Sequence, residues 1–470
     1  TTTESTASPP LWAKVIDHTR CIGCHACTTA CKSENEVPLS VTRTYVKYVD
    51  TGTFPQARRS FQVTRCNQCE DAPCVAACPT AAMHQRPDGI VDFDKSICIG
   101  CKACIAACPY DAIFINPEDK SAEKCNFCAH RLDVGLEPAC VVVCPTQALM
   151  VGDMNDPFSA VSEIIHRDAV VVRQGDVSHQ VPSGHPGPWN SSAAAVVSYD
   201  VIHRAPWDWR VSAYTFTKSI AAGAYLVPLI LGALGLMPFT SSLWGLQAPI
   251  AALVALAVTG GLLVWDLEHP ERFWMVLLKP QWRSWLVRGG FIITGYGAVL
   301  TAHVVASLAG RADLTPLLGW VGGPLAAMTA AYTAYLFAQA RARDLWQSPL
   351  LPAHLLVQAG VAGAAMVVLL TGADAVPGSV TAAFRLLLAG HVLMVLGEAS
   401  MRHPTAHGSL AARAMIRGQY AHFFWVSLAL GVLALVFAAS ATGIAAGAAL
   451  GCLLLYEHAF VQAGQSVPLA

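Results

Sequence analysis

Sixteen of the chain's 17 cysteines lie between Cys21 and Cys144 and fall into four groups of four. The groups are Cys21, Cys24, Cys27 and Cys31; Cys66, Cys69, Cys74 and Cys78; Cys98, Cys101, Cys104 and Cys108; and Cys125, Cys128, Cys140 and Cys144. The first and third groups have the C-x2-C-x2-C-x3-C spacing that holds a [4Fe–4S] cube in bacterial ferredoxins. Because each cube takes four thiolates, sixteen cysteines predict four [4Fe–4S] clusters and a protein that conducts electrons.

Two other uses of clustered cysteines are disulfide bonds and structural zinc. Eight disulfides would suit a small secreted scaffold, and no secretory signal is recognised ahead of the cysteines. Zinc sites use two separated CxxC pairs for each metal, whereas this chain repeats a group of four. The spacing therefore favours iron–sulfur clusters over both alternatives. The remaining cysteine, Cys452, lies in an apolar run and receives no role.

Short strands are predicted beside the cysteine groups, for example over 89–92 and 112–115. Residues 1–173 are therefore predicted to form an α+β, ferredoxin-like domain of duplicated two-cluster units. A helix is predicted over 156–167 and a strand over 169–172. Residues 174–208 contain a stretch rich in proline, glycine and serine, which predicts a linker.

Residues 209–470 are far more apolar than the region before them. The chain as a whole is 54% hydrophobic and 13% charged with a net charge of −1, which gives no bulk attraction for nucleic acid. An all-α bundle of eight transmembrane helices is predicted, because eight stretches have about the length that crosses a bilayer. They cover residues 211–237, 246–265, 286–309, 317–340, 353–372, 379–399, 417–438 and 441–463.

The basic residues in the loops between these stretches are distributed unequally. Nine lie on the side of the cysteine domain and only Arg311 lies opposite: Arg272, Lys279, Arg283, Arg288, Arg341, Arg343, Arg402, Arg413 and Arg417. Positive loops face the cytoplasm, so this bias predicts an inner-membrane protein with its cysteine domain in the cytoplasm. Export of a folded domain on a partner's signal is the alternative.

Ionisable or polar side chains inside the apolar stretches are candidates for a functional site, since they are costly in a bilayer. The candidate quinone residues are Lys218, Asp266, Arg272, Tyr332, Tyr335 and His422, with His354, Gln358, Glu398, Glu457 and His458 on the same side. His303, Arg385 and His391 lie deeper and are candidates for a proton path. For each of them, snorkelling or a hydrogen bond between helices is an equal alternative, and Asp266 can also pair with Arg272. No catalytic residue for another substrate is predicted, because the chain has neither HExxH nor Gly-x-Ser-x-Gly.

Several motifs resemble two known families. The cysteine groups of residues 14–173 resemble the four-cluster ferredoxin subunit of molybdopterin oxidoreductases, which act on polysulfide, dimethyl sulfoxide or formate. Residues 209–470 resemble the NrfD/PsrC membrane anchors, through motifs at 217–224, 266–273, 284–290 and 463–468. These families usually have the two parts as separate chains, and here they look fused.

The resemblance implies that neighbouring groups exchange their fourth cysteines. The implied ligand sets are Cys21, Cys24, Cys27 and Cys144; Cys125, Cys128, Cys140 and Cys31; Cys66, Cys69, Cys74 and Cys108; and Cys98, Cys101, Cys104 and Cys78. It also implies a separate catalytic subunit with a molybdenum or tungsten bis-pterin, and a membrane quinone (menaquinone or ubiquinone). The expected role is electron transfer between that partner and quinone, in a lipid-embedded complex that can dimerise. The alternatives are a redox-driven proton or ion pump, and a quinone reductase anchor with haem b, although the resembled family has no haem.

Overall fold

The computed structural model describes residues 9–52, 54–168, 196–202, 204–372, 376–401 and 403–469. The chain divides into a first unit of residues 1–204 with 468–470, and a second unit of residues 205–467. The predicted strand 169–172, the part of the predicted linker before residue 196, and Arg402 of the loop charges lie outside the described residues.

The first unit is built from short helices and small antiparallel sheets. Its strands are β1 (Trp12–Ile16), β2 (Thr44–Thr51), β3 (Arg58–Arg65), β4 (Met83–Gln85), β5 (Val91–Phe93), β6 (Ile113–Ile115), β7 (Ala122–Lys124), β8 (Leu149–Asp153) and β9 (Val196–Tyr199). Its helices are α1 (Ala26–Glu34), α2 (Pro73–Ala77), α3 (Ala103–Ala107), α4 (Ala129–Leu132), α5 (Ala139–Val142) and α6 (Ala160–Asp168). Strands β1–β8, β4–β5 and β6–β7 form pairs, and β3–β2–β9 form a three-stranded sheet.

The internal repeat is visible in the middle of this unit. Helices α2 and α3 are each five residues long, each contains the third cysteine of its group, and each is followed by the fourth cysteine and then a two-stranded hairpin. The third cysteine therefore occupies the same place in both copies, and so does the fourth. The predicted strands over 89–92 and 112–115 correspond to β5 and β6, and the predicted helix over 156–167 corresponds to α6.

Strand β9 lies within the predicted linker. It pairs antiparallel with β2, and the register shifts between Tyr48 and Val49. The prediction relied on the proline- and glycine-rich residues that come earlier in the segment, whereas the short Val196–Tyr199 run takes its backbone partners from a strand about 150 residues away. Pairing over such a sequence distance leaves no local signal.

The second unit is helical. Its helices are α7 (Trp209–Ala233), α8 (Ala248–Trp265), α9 (Met275–Leu278), α10 (Trp285–Leu308), α11 (Thr315–Ala338), α12 (Leu351–Thr371), α13 (Gly378–Ser400), α14 (Ala406–Ile416), α15 (Ala421–Phe437) and α16 (Thr442–Ser466). A π-helical segment, Leu243–Gln247, leads directly into α8. Short 3-10 turns, Pro270–Arg272 and Asp344–Gln347, lie before α9 and before α12.

Six of these helices are long and apolar enough to cross a membrane: α7, α8 with its π-helical start, α10, α12, α13 and α16. The number rises to seven if α14 and α15, which are bent by 67° relative to each other, count as one span. The chain is therefore a multi-pass membrane protein. Helices α11 and α15 coincide with two further predicted spans, and the count of eight stays a prediction.

Glycines set the distance between α7 and α12. A Cβ atom built on Gly223 would lie 1.8 Å from the carbonyl oxygen of Ala359, and one built on Gly363 would lie 2.1 Å from the carbonyl oxygen of Gly223. The two backbones are thus in direct contact, which only residues without a Cβ allow. Gly223 belongs to the motif at 217–224, so at least this member of the motif serves helix packing.

The end of α16 is tied to the residues that lead into α7. The Gln465 side chain accepts from the Trp207 backbone N–H at 3.1 Å and donates to the Trp207 carbonyl at 2.6 Å. Gly464 faces the Trp346 indole, where a Cβ would lie 2.0 Å from Nε1. The buried Arg343 guanidinium donates to the carbonyls of Gln465 and Val467 at the helix end. These contacts explain why the motif at 463–468 contains a glycine followed by a glutamine.

Candidate functional site

The structure gathers the sixteen cysteines into four sets, each with three members of one group and the fourth of another. Three sets line cavities: Cys21, Cys24, Cys27 and Cys144; Cys78, Cys98, Cys101 and Cys104; and Cys31, Cys125, Cys128 and Cys140. In the remaining set, Cys66, Cys69, Cys74 and Cys108 interact electrostatically with one another. These are the same sets that the family resemblance implies. The chemistry of four converging thiolates suits a [4Fe–4S] cube.

Residues with positive φ turn the chain sharply inside each cysteine loop. His25, Lys102 and Cys128 have φ of 57°, 61° and 52° and immediately precede α1, α3 and α4, while Gln68 has φ 51° in the second loop. Four non-glycine residues in this rarely occupied region indicate loops that the surrounding contacts hold in place.

Backbone amides point at the cysteine sulfurs. The N–H groups of Met83 and Ala122 donate to Cys78 Sγ at 3.3 Å and Cys98 Sγ at 3.4 Å. The N–H of Ala148 donates to Cys144 Sγ at 3.2 Å. Such bonds stabilise the negative charge of a thiolate without requiring a charged side chain.

Most of the buried thiols resist ionisation on their own. Burial raises the pKa of Cys27 to about 11 and the pKa values of Cys69 and Cys74 to about 12. Thiolate ligation of iron must therefore displace protons from these sulfurs, which couples cluster binding to proton release. Cys125 differs: burial favours its neutral form, but the charges of Lys14, Arg65 and Lys124 and a hydrogen bond from the Phe127 backbone together lower the pKa of Cys125 below its usual value.

A buried ion pair joins the residue just before β2 to the hairpin after the third cysteine group. The Arg43 Nε atom lies 2.8 Å from Glu123 Oε1, and both side chains are less than a tenth exposed. The other Glu123 oxygen accepts from Lys95 Nζ at 2.9 Å and Asn116 Nδ2 at 2.8 Å. All three donors are thus needed to compensate one buried carboxylate.

Glu123→Gln is expected to destabilise the first unit by about 3 kcal/mol, because it leaves the buried Arg43 charge without its partner. The measurement is the temperature at which the purified chain loses its visible iron–sulfur absorbance, which should fall. Glu118→Gln, in the same hairpin but at an exposed position, is the control and should leave that temperature unchanged. Equal effects of the two substitutions would contradict the role given to the buried pair.

Lys218 is the most deeply buried of the predicted quinone residues. It is 0% exposed, and its ammonium donates to the Ala330 carbonyl at 2.9 Å and to Thr333 Oγ1 at 2.6 Å, both on α11. The same ammonium lies 5.2 Å from the centre of the Tyr332 ring. Glu457 on α16, which is 2% exposed, interacts electrostatically with Lys218. A basic and an acidic side chain are therefore enclosed together in the interior of the second unit, where an ionisable group is costly without such a partner.

Further polar side chains surround this pair, and two of their atoms have no hydrogen-bond partner among the described residues. Thr215 and Gln358 lie against the Glu457 carboxylate. In the described part of the chain, the Gln358 Oε1 atom and the Tyr214 hydroxyl are buried without a hydrogen-bond partner. A buried polar atom without a partner is costly, so these groups fit a site where a polar ligand binds.

A second buried polar group lies among α12, α13 and α16. His354 Nε2 and His391 Nδ1 are hydrogen-bonded at 2.9 Å, and His391 Nε2 lies 3.7 Å from Cys452 Sγ. Both histidine rings contact Tyr456, whose hydroxyl donates to Glu398 Oε2 at 2.6 Å. His303 belongs to neither group, since it bonds the Tyr225 hydroxyl at 2.9 Å.

Asp266 and Arg272 have partners that the sequence did not single out. Asp266 directly follows α8 and is 7% exposed, and its Oδ1 atom lies 3.8 Å from Arg210 Nε. Arg272 Nε lies 3.7 Å from Glu271 Oε1. Arg210 also donates to the carbonyl of Trp265, so it connects the start of α7 to the end of α8.

Three candidates lie on exposed faces, apart from the buried Lys218: Tyr335 and His422, predicted for the quinone site, and Arg385, predicted for the proton path. Tyr335 is 44% exposed and stacks on the Trp285 ring at a centroid distance of 4.5 Å. His422 and Arg385 are also exposed. Position within an apolar stretch does not tell which face of a helix a residue occupies, and these helices have almost uniformly apolar surfaces that hide the periodicity.

Sequence reasoning missed the neutral members of the cluster. Tyr214 and Thr215 lie one turn before Lys218 on α7, and Thr333 follows Tyr332 on α11. The i, i+3 and i, i+4 spacings from Lys218 would have placed the first two on its helix face. No local signal identifies Thr333, because its role depends on the packing of α11 against α7.

Models of known protein families match both the cysteine-containing part and the helical part of the chain. Residues 57–154 match the 4Fe-4S dicluster domain family, residues 18–41 match a 4Fe-4S binding domain, and residues 199–445 match the family described as polysulphide reductase, NrfD. The NrfD match covers more than half of the chain.

Curated relatives match the part that carries the cysteines. A polysulfide reductase component from Wolinella succinogenes is 47% identical over 157 residues, which are 33% of this chain and 82% of the relative. A tetrathionate reductase component from Salmonella typhimurium is 46% identical over 169 residues, 34% of this chain and 66% of the relative. The thiosulfate reductase electron transfer subunit of Salmonella typhi is 49% identical over 143 residues, 30% of this chain and 74% of the relative. The chain therefore belongs to the NrfD polysulphide reductase family and carries, in the same polypeptide, a 4Fe-4S iron–sulfur domain.

Proposed function

We propose that the chain is the electron-transfer and membrane-anchor subunit of a respiratory oxidoreductase, and that its sixteen clustered cysteines hold four [4Fe–4S] cubes. The observation that carries the proposal is the gathering of these cysteines into four sets of four, three of them lining cavities. When bound, such cubes carry single electrons. The protein's part is to hold them with thiolates, direct backbone N–H groups at the sulfurs, and bury most of the ligands away from water.

A separate catalytic subunit with a molybdenum or tungsten bis-pterin completes the proposed enzyme. The relatives are named as components of polysulfide, tetrathionate and thiosulfate reductases, and this supports a partner that acts on a sulfur compound or a similar substrate. The set with Cys21 and Cys144 suits electron exchange with that partner, because Cys24 is exposed and the neighbouring Ile22 is 56% exposed. Substrate specificity would reside in the partner.

The membrane part is proposed to react with menaquinone or ubiquinone beside Lys218 and Glu457. Lys218 lies nine residues after the start of α7 and Glu457 nine residues before the end of α16, a depth of ~14 Å along each helix. Reduction of a quinone takes two electrons and two protons. The Lys218 ammonium can donate a hydrogen bond to a carbonyl oxygen, and the Glu457 carboxyl can hold a proton between turnovers. Tyr214 and Gln358 supply further polar atoms that have no partner among the described residues.

The proposed topology has eight spans, with α11 and α15 crossing the membrane beside the six helices that meet the length and polarity criteria. It has the functional domains at 1–173 and 209–470, joined by 174–208, and the iron–sulfur domain in the cytoplasm of a cell with an inner membrane. The excess of basic residues in one set of loops supports this orientation.

Iron and acid-labile sulfide analysis tests the cluster assignment. The full chain, purified without oxygen, is expected to contain sixteen irons and sixteen sulfides, because four cubes contain four of each. Cys104→Ser is expected to remove or alter one cube and leave the other three, with a corresponding loss in the EPR signal of the reduced protein. Cys452→Ser, outside the four sets, is the matched control. Intact wild-type protein with far fewer than sixteen irons would refute the assignment.

A further inference from the structure

The cavity lined by Cys31, Cys125, Cys128 and Cys140 has a positively charged wall. Lys14, Arg43 and Arg65 all line it, and no Asp or Glu is among the described residues that do so. The Lys14 ammonium lies 3.5 Å from Cys140 Sγ. The same ammonium lies 4.5 Å from the centre of the Phe127 ring.

Arg65 is the least compensated of the three cations. It is only 6% exposed, and its Nε and Nη1 atoms have no hydrogen-bond partner within the described ranges. Arg43, by contrast, is neutralised by Glu123 at 2.8 Å and also donates to Asn35 and Asn126. A buried guanidinium without an anionic partner is strongly unfavourable, so the geometry indicates that a negative group belongs in this cavity. A cube with four thiolate ligands is such a group.

The cavities of two other cysteine sets are lined by fewer positively charged side chains. The cavity with Cys21 and Cys144 is lined by no Lys, Arg, Asp or Glu among its described residues. The cavity with Cys78 and Cys104 has one cation, Lys102, and one anion, Asp94.

The set of Cys66, Cys69, Cys74 and Cys108 has one buried cation. Lys124 is 0% exposed and interacts electrostatically with Cys66 and Cys74. Its ammonium also donates to the carbonyls of Val91 and Cys125, and Asp92 lies near enough to offset part of its charge. The positive field is therefore greatest at the set of Cys31, Cys125, Cys128 and Cys140.

We propose that the cluster held by Cys31, Cys125, Cys128 and Cys140 has the highest midpoint potential of the four, and that Lys14 and Arg65 set it. The proposal rests on the proposed function, which supplies the clusters. One electron enters the site from a reduced neighbouring centre, and no bond forms or breaks. Lys14 and Arg65 stabilise the added negative charge, which favours the reduced form in an interior of low dielectric constant. The site would thus retain an electron while the other three are oxidised.

The test is a potentiometric titration of the full chain with detection of each reduced cluster by EPR. In Arg65→Gln, the highest of the four midpoint potentials should fall by at least about 59 mV. For one electron, this is a tenfold decrease in the equilibrium constant for reduction of that cluster. Lys14→Gln should move the same signal in the same direction, and the other three should stay in place. Arg65→Lys, which keeps the charge, should retain most of the wild-type value.

Arg59→Gln is the matched control. It lies on the same strand as Arg65, but it is exposed and paired with Asp50 at 2.7 Å, so all four potentials should remain unchanged. Iron content separates the two proposals, since fewer than sixteen irons in the wild type would refute the cluster assignment itself. With sixteen irons present, a shift of a lower-potential signal, or no shift in either variant, would refute the role of Lys14 and Arg65. If Arg65→Gln fails to retain its clusters, the midpoint potentials of Lys14→Gln provide the test of the proposal.

Discussion

Lys218→Met is expected to slow electron transfer from the reduced clusters to membrane quinone by about 100-fold, the size of effect seen when one positioned hydrogen-bond donor is removed from an active site. Methionine has nearly the length of lysine but has no charge and no N–H. The substitution would remove the hydrogen bonds to the Ala330 carbonyl and to Thr333. It would also leave Glu457 without the basic group that it faces. Glu457→Gln is expected to act in the same direction, because a neutral amide cannot take up and release a proton at this site.

The measurement uses the full chain in liposomes that contain menaquinone or ubiquinone. The clusters are reduced with dithionite, the excess is removed, and recovery of the visible iron–sulfur absorbance is compared between quinone-loaded and quinone-free liposomes. Reoxidation by ferricyanide, which needs no membrane site, should be unchanged in Lys218→Met. Lys279→Met is the matched control, since this lysine is exposed in a loop.

Two outcomes would contradict the role of Lys218. Normal quinone-dependent reoxidation in Lys218→Met would show that its ammonium does not serve the quinone site. Slower reoxidation by ferricyanide as well would show that the substitution disturbs the protein as a whole, and that Lys218 is a structural residue that holds α7 to α11.

Gly223→Val is expected to prevent the second unit from folding, with a loss of more than about 4 kcal/mol. The added Cβ would lie 1.8 Å from a carbonyl oxygen and 2.6 Å from the Gly363 nitrogen, both backbone atoms of α12. Backbone atoms in the middle of a helix cannot rotate away as a side chain can, so the helices would have to separate. Separation would open the contact between α7 and α12, next to the buried charges.

The measurement is the amount of folded protein extracted from membranes and its resistance to heat. Gly260→Val is the matched control, because Gly260 also lies within a transmembrane helix and a Cβ there would meet nothing within 4 Å. Both substitutions add the same β-branched side chain, so the intrinsic effect on helix formation cancels. Similar yields of the two variants would refute the close contact between α7 and α12.

Lys218 and Tyr335 illustrate what the sequence can and cannot predict about a transmembrane helix. Both were candidates because polar groups are costly in apolar stretches. Lys218 lies at the centre of a buried polar cluster, whereas Tyr335 stacks on Trp285 at an exposed surface. A nearly uniform apolar surface makes it impossible to tell from one helix which face meets its neighbours. The partners of Asp266 and the hydrogen bond between His354 and His391 depend on packing in the same way.

The amino-acid sequence by itself determined which cysteines are available as cluster ligands, the repeated loops of the iron–sulfur domain and the succession of apolar helices. Cysteine spacing and hydropathy are local properties, so each can be read within one short segment. Only the tertiary structure decided that Arg65 faces the Cys31 and Cys125 set without a partner, that Gly223 contacts Gly363, and that Lys218 and Glu457 share one enclosed site. Each of these contacts joins residues distant in the chain, and their energies depend on distance and burial that exist only after the helices and strands have packed.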